Sequence, residues 1–209
     1  MSGNINQKDG IKLILKKISS LKKKIGSLVT KRMKEFKKNN NLFSELCFCI
    51  LTANYTAEGG IKIQNSVDFS NLSESKIKKA LIKFGHRFPN VRANYLYLAK
   101  SHFNSLKNLK NFKNSFEKRE WLVKNIKGLG YKEASHFLRN IGYTDVAIID
   151  RHILNVLKEY NLIKPPKTLT KNSYLKIEKT LERISKLAKL TQGELDLYLW
   201  YLKTGKVLK

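Results

Sequence analysis

The chain has 209 residues, with 42 Lys+Arg against 16 Asp+Glu for a formal net charge of +26, and 42% of it is hydrophobic. That apolar share suffices for one good core or two small ones and excludes a disordered basic tail; no run of about eighteen uncharged apolar residues occurs, which excludes a helical membrane span. The charge imbalance points to a polyanionic partner bound with strong salt dependence, although a lysine-rich surface suited to heat or solubility has the same composition.

Along the chain, residues 1–10 are polar and the segment after them is broken by lysines, unlike a secretory leader. An intracellular, cytoplasmic or nucleoid-associated protein is expected. Ile11 to Phe36 reads as a lysine-rich amphipathic helix whose polar face is either solvated or laid on nucleic acid. Leu42 to Ala53 is apolar enough for a central buried helix. It carries the only cysteines, Cys47 and Cys49, whose i, i+2 spacing puts them on different helix faces and argues against a shared metal or a mutual disulfide. Ser73 to Phe84 is the next helix, with Ile77, Leu81 and Phe84 facing inward and Gly85 as the stop. Phe88, Tyr95 and Leu98 predict a further core-facing helix after Pro89, with Arg87 and Arg92 as candidate phosphate contacts.

Glu117 to Asn125 leads into KGLGYK at 127–132, and Lys132 to Ile141 leads out. Gly128 and Gly130 permit a tight turn and close backbone approach. The amides of the turn and of the following helix start suit a phosphate. Lys132 falls in that first turn. A free lysine is neutral only about one part in a thousand at pH 7, so a nucleophilic role needs help from the positive helix end or an apolar cleft. The plainer account is a helix-packing hairpin with Lys132 as a solvated phosphate contact. Val146 to Ile149 then runs apolar into Asp150, which reads as the N-cap of the next helix. At the wall of a cleft the same carboxylate could stabilise positive charge on a sugar and relay protons. Pro165-Pro166 marks a break; Tyr174 to Leu187 and Gly193 to Leu202 are the last predicted helices. Trp200 with Tyr198 and Tyr201 reads as a core cluster, and Lys206 to Lys209 as a mobile charged tail beyond Gly205. No sustained alternation of apolar and polar residues supports a sheet, so an all-α protein is expected. His86, His102, His136 and His152 show no metal-ligand spacing.

The stretch from KGLGYK (127–132) to AIIDRH (147–152) resembles the helix-hairpin-helix DNA glycosylase/AP lyase superfamily. ELCFCILTAN at 45–54, TAEGG at 56–60 and LDLYLWYLKTGKVLK at 195–209 resemble, more narrowly, the type 2 8-oxoguanine DNA glycosylases. The likeness runs from about Leu42 to the last residue. It implies two helical subdomains flanking a DNA-binding cleft: a central one, 44–145, holding the helix-hairpin-helix at about 117–141, and a second made of 1–43 plus 146–209. It implies Lys132 as the Schiff-base nucleophile and Asp150 as the catalytic aspartate. Trp200 would stack on the extruded base, with Lys209 and Lys206 reading it. Gly128, Leu129 and Gly130 would hold DNA, and Asn54 would enter the gap left by the base. The implied partner is double-stranded DNA containing 8-oxoguanine, the implied state a monomer, and no redox cofactor is needed. A monovalent cation on hairpin carbonyls is compatible with the residue types. Two cysteines cannot furnish the four thiolates of an iron–sulfur cluster. Two other readings stay open: a glycosylase/lyase for a different damaged base, and a noncatalytic nucleic-acid-binding module.

Overall fold

A computed structural model describes residues 6–209; the first five residues of the polar N-terminal stretch lie outside the described residues. Eleven α-helices and two short 3₁₀ turns are present among the described residues, with no strand. The all-α expectation holds. The chain divides into two compact units, Met1–Lys37 with Gly142–Lys209, and Lys38–Ile141.

The first unit is built on α1, Gln7–Lys37. Ile11, Ile14, Ile18, Leu21, Ile25 and Val29 recur every three or four residues and are buried, the spacing that gives a helix one apolar stripe. Its lysines take the remaining face. Gly10 sits inside this helix because a Cβ there would lie 1.9 Å from the carbonyl oxygen of Tyr160. The other helices of the unit are α9 (Arg151–Glu159), α10 (Lys171–Ala188) and α11 (Gln192–Thr204). α11 starts with a reciprocal cap: Thr191 Oγ1 accepts from the Glu194 amide, and Glu194 accepts from the Thr191 amide at 2.8 Å. It packs on α1 and α9. It ends at Gly205, whose φ of 70° turns the chain back. Val207 is thereby buried with Leu21, Ile25, Val29, Phe36, Leu197 and Tyr198. The last four residues are therefore not the free tail that composition alone suggests; one apolar residue among the lysines anchors them.

The second unit centres on α2, Leu42–Thr52, in which every residue from Glu45 to Thr52 is buried. Around it lie α3 (Ala57–Ser66), α4 (Glu74–Lys83), α5 (Pro89–Ala99), α6 (Phe103–Lys107), α7 (Ser115–Asn125) and α8 (Tyr131–Asn140). α2 packs against α3, α5, α6 and α8. Cys47 and Cys49 are buried and form no disulfide; burial pushes the Cys47 thiol far above its usual value, as does the nearby charge of Asp68. Buried Glu45 accepts from Asn140 Nδ2 at 2.7 Å, Asn39 Nδ2 at 3.0 Å and Gln64 Nε2 at 3.3 Å, so its carboxylate is compensated by amides near both ends of the unit.

Two helices depart from expectation. On α5 the inward stripe is Arg92, Ala93, Leu96 and Ala99, while Phe88 and Leu98 are exposed. α5 packs on α4 and α2, with two of its four buried positions, Ala93 and Ala99, small and two of its bulky apolar groups, Phe88 and Leu98, outside. The short α3 has no counterpart among the helices expected from periodicity; its start is marked by Thr56, whose hydroxyl accepts from the Gly59 amide at 3.1 Å.

Candidate functional site

In the second unit α7 and α8 are joined by the turn at 126–130. Leu129 donates its amide to the Ile126 carbonyl at 3.2 Å. Only one of the two glycines uses the left-handed region: Gly128 has φ 92°, whereas Gly130 is extended, with φ −93°. Gly128 also has no room for a side chain, since a Cβ would meet Tyr95 Cδ2 at 2.4 Å. Gly130 is the N-cap of α8. Having no side chain to offer, it is capped in one direction only, its amide donating to Glu133 Oε2 at 3.3 Å. Leu129 is buried under the turn, and Gly130 is exposed.

Lys132 lies in the first turn of α8 with its side chain three-quarters buried, and its ammonium is 3.6 Å from Glu133 Oε1. One carboxylate thus serves both the hairpin amide and the lysine. The same Glu133 charge favours the ionised form of Arg92, whose pKa is nevertheless lowered, mainly by burial. Neighbouring Tyr131 donates its hydroxyl to Glu120 across the two hairpin helices.

Asn54 is exposed, immediately after α2, with φ 60°. That conformation is costly for most side chains and tolerated by asparagine. Two side chains hold the helix end beneath it. Arg92 Nη2 donates to the Ala53 carbonyl at 2.8 Å, and His86 Nε2 lies 3.0 Å from the Leu51 carbonyl. The Phe88 amide donates to His86 Nδ1 at 3.1 Å, which leaves the proton on Nε2 to be donated to Leu51. Arg92 also lies 5.6 Å from the centroid of Tyr95, the ring against which Gly128 packs. Arg92, a candidate phosphate contact from sequence, is instead buried, with Nη2 donating to the Ala53 carbonyl. A buried arginine and a histidine that reach back to a helix thirty-odd residues earlier leave no local pattern to find.

In the first unit Asp150 is the N-cap of α9, its Oδ1 accepting from the Ile153 amide at 2.8 Å. It is half-buried, and the four residues before it are buried and irregular. Such backbone needs partners. Tyr174 and Glu178, one turn apart on α10, supply them: the Tyr174 hydroxyl donates to the Ala147 carbonyl at 2.7 Å and accepts from the Ile149 amide at 3.2 Å, while Glu178 Oε1 accepts from the Ala147 amide at 2.8 Å. His152, two residues after Asp150 on the first turn of α9, meets the Trp200 indole edge-on with ring centroids 6.3 Å apart. Trp200 is half-buried near the end of α11, its carbonyl accepting from Thr204 Oγ1 at 2.9 Å. Lys206 is exposed; Lys209 is half-buried beyond anchored Val207.

Gly128, Leu129, Gly130, Lys132 and Asn54 thus belong to one unit, and Asp150, Trp200, Lys206 and Lys209 to the other. No group of three or more metal-ligating side chains occurs among the described residues, and no helix there is long and apolar enough to cross a membrane.

Comparison with known proteins bears on this arrangement. The family model described as 8-oxoguanine DNA glycosylase matches residues 29–190. The 8-oxoguanine DNA glycosylase/AP lyase of Methanocaldococcus jannaschii is 52% identical over 210 residues, covering 94% of this chain and all of that protein. The protein of the same description from Korarchaeum cryptofilum is 47% identical over 193 residues, covering 89% of this chain and 92% of that one. Among solved structures, the M. jannaschii glycosylase/lyase in complex with a 15mer DNA containing 8-oxoguanine superposes with a TM-score of 0.92 at 51% identity, covering 94% of this chain and all of that one. The 8-oxoguanine DNA glycosylase of Thermotoga maritima gives a TM-score of 0.90 at 40% identity, covering 95% of this chain and all of that one. With its all-α fold and its glycine hairpin opening onto Lys132, the chain belongs to the 8-oxoguanine DNA glycosylase family.

Proposed function

We propose that this protein excises 8-oxoguanine from double-stranded DNA through a Schiff base on Lys132 and then cleaves the strand 3′ to the abasic site by β-elimination. The observation that carries the reading is the placement of Lys132, largely buried, in the first turn of a helix that opens from a glycine hairpin, in a chain half identical over nearly its whole length to 8-oxoguanine DNA glycosylase/AP lyases.

Backbone amides of the first turn of α8, together with lysines, hold the phosphates, since the Leu129 and Gly130 amides of the turn itself are spent on Ile126 and Glu133. The lesion leaves the stack at a cost of a few kcal/mol, offset by stacking on Trp200 and by polar contacts from Lys209 and Lys206, while Asn54 fills the gap. Lys132 Nζ, once deprotonated, attacks C1′; the C1′–N bond breaks, and the base departs with its electron pair and takes up a proton. Asp150 stabilises the positive charge on the sugar and moves protons. The bound amine then loses a proton as the C1′–O4′ bond opens and O4′ takes up a proton, giving the C1′=N Schiff base, and loss of a proton from C2′ breaks the C3′–O bond and expels the 3′ phosphate. No redox cofactor enters this sequence. Backbone oxygens of the hairpin are the hard donors that a monovalent cation takes, and there it would brace the phosphate-facing turn. The protein acts as a monomer, where the genome is.

Borohydride trapping on an 8-oxoguanine:C duplex, beside undamaged and abasic duplexes, tests the reading. A lesion-dependent covalent adduct is expected, and Lys132→Gln should abolish it together with strand cleavage while duplex binding persists. Trapping that survives the substitution would overturn the assignment of Lys132.

A further inference from the structure

We infer that Tyr174 and Glu178 are positioning residues for the Asp150 carboxylate, acting by gripping the backbone of Ala147 and Ile149. The inference rests on the proposed role of Asp150 and adds to it the device that aims that residue.

The run from Val146 to Ile149 is buried yet belongs to no helix or strand. In such a run the side chains supply burial but no direction, because apolar packing is nonspecific; register must come from the backbone hydrogen bonds. Three of those bonds end on two side chains of α10. The Tyr174 hydroxyl uses its proton on the Ala147 carbonyl and a lone pair on the Ile149 amide, and Glu178 takes the Ala147 amide, so both polar groups of Ala147 are held. Residues four apart lie on one helix face, so the pair acts as a short artificial strand edge against which the segment lies. Tyr174 and Glu178 are themselves buried, at 2% and 4% exposure, and α10 holds them by its own packing. The segment has one residue left, Asp150, before α9 begins. Its carboxylate direction is fixed from below by this grip and from above by the Ile153 amide. The N-cap bond alone leaves the entry of the chain free to pivot; the grip removes that freedom. A group that must meet charge on a sugar loses rate steeply with small displacements, by about a hundredfold for 1 Å.

Tyr174→Phe, Glu178→Gln and Glu178→Leu, each made alone and with Asp150→Asn, test this through single-turnover excision at saturating enzyme on an 8-oxoguanine:C duplex, with duplex affinity measured alongside. Tyr174→Phe and Glu178→Leu should lower the excision rate about tenfold or more with affinity unchanged. Glu178→Gln, which keeps an acceptor oxygen for the Ala147 amide, should recover most of the rate lost in Glu178→Leu. With Asp150→Asn already present, neither loss should appear again, because a residue that acts through another shows no independent effect once that one is removed. Equal fractional losses in both backgrounds, or full excision by Tyr174→Phe, would overturn the inference. Should Tyr174→Phe fail to fold, the Glu178 pair decides it alone. A wild-type protein that binds the duplex and releases no 8-oxoguanine would defeat the functional reading, and the inference with it; wild-type excision with undiminished variants defeats only the inference.

Discussion

On the proposed function Asp150 carries two jobs, cap and catalytic carboxylate, that a single substitution can separate. As N-cap it accepts the Ile153 amide, and an Asp-to-Ala change at such a position costs about 1 kcal/mol. Asparagine caps a helix about as well as aspartate, but it carries no charge with which to stabilise a cationic sugar. Asp150→Asn is therefore expected to melt within a few degrees of wild type and to release 8-oxoguanine at least about a hundredfold more slowly, as calorimetry and single-turnover kinetics would show. A large fall in melting temperature with little change in rate would make the residue a cap and nothing more. The cap is legible in the sequence because capping is local: an apolar run, an aspartate, then a helix-forming run. Tyr174 and Glu178 are not, because their partners lie 27 and 31 residues earlier and only folding chooses them.

At the scale of elements, the end of α2 shows how a loop residue is aimed by helices around it. His86 and Arg92 reach the Leu51 and Ala53 carbonyls, and Asn54 follows in the left-handed conformation. Burial, first, and the charge of Arg92 lower the pKa of His86, against the opposing effect of its bond to Leu51. Tyr55 covers the ring, with centroids 4.3 Å apart. The folded protein thus keeps this imidazole neutral at a pH where the unfolded chain, with a value of about 6.5, takes up a proton. More protons bound by the unfolded state means that stability rises with pH. The contribution is complete above about pH 6.5 and is lost progressively below it. Melting temperature should therefore fall for wild type between pH 7 and pH 5 by more than it does for His86→Gln, whose amide can still donate to Leu51; parallel curves would show that the histidine does not titrate in this way. The helix signals that periodicity can read are those with one large apolar stripe, as in α1. On α5 the stripe is Arg92, Ala93, Leu96 and Ala99, only one of them a large apolar residue, and the bulky Phe88 and Leu98 mislead because they lie outside it. The hairpin glycines are legible as a turn, but sequence does not distinguish Gly128, which needs both φ 92° and absent Cβ, from extended Gly130.

For the molecule as a whole, composition gives a charge but not its use. A formal +26 could serve solubility, in which case most lysines never meet a phosphate, or it could serve binding, in which case each neutralised phosphate releases counterions. These differ in one measurable slope. With about six phosphate contacts, log affinity for duplex DNA should fall against log salt with a slope near −5, a loss of about a thousandfold between 50 and 200 mM. Undamaged and 8-oxoguanine duplexes should share that slope, since phosphate contacts carry no sequence information, and should differ only by a constant offset contributed by the extruded base. Fluorescence anisotropy across that salt range measures both quantities at once. A slope near −1 would assign the lysines to the solvent and leave the backbone amides at the start of α8 as the main phosphate contacts, because neutral donors release few counterions.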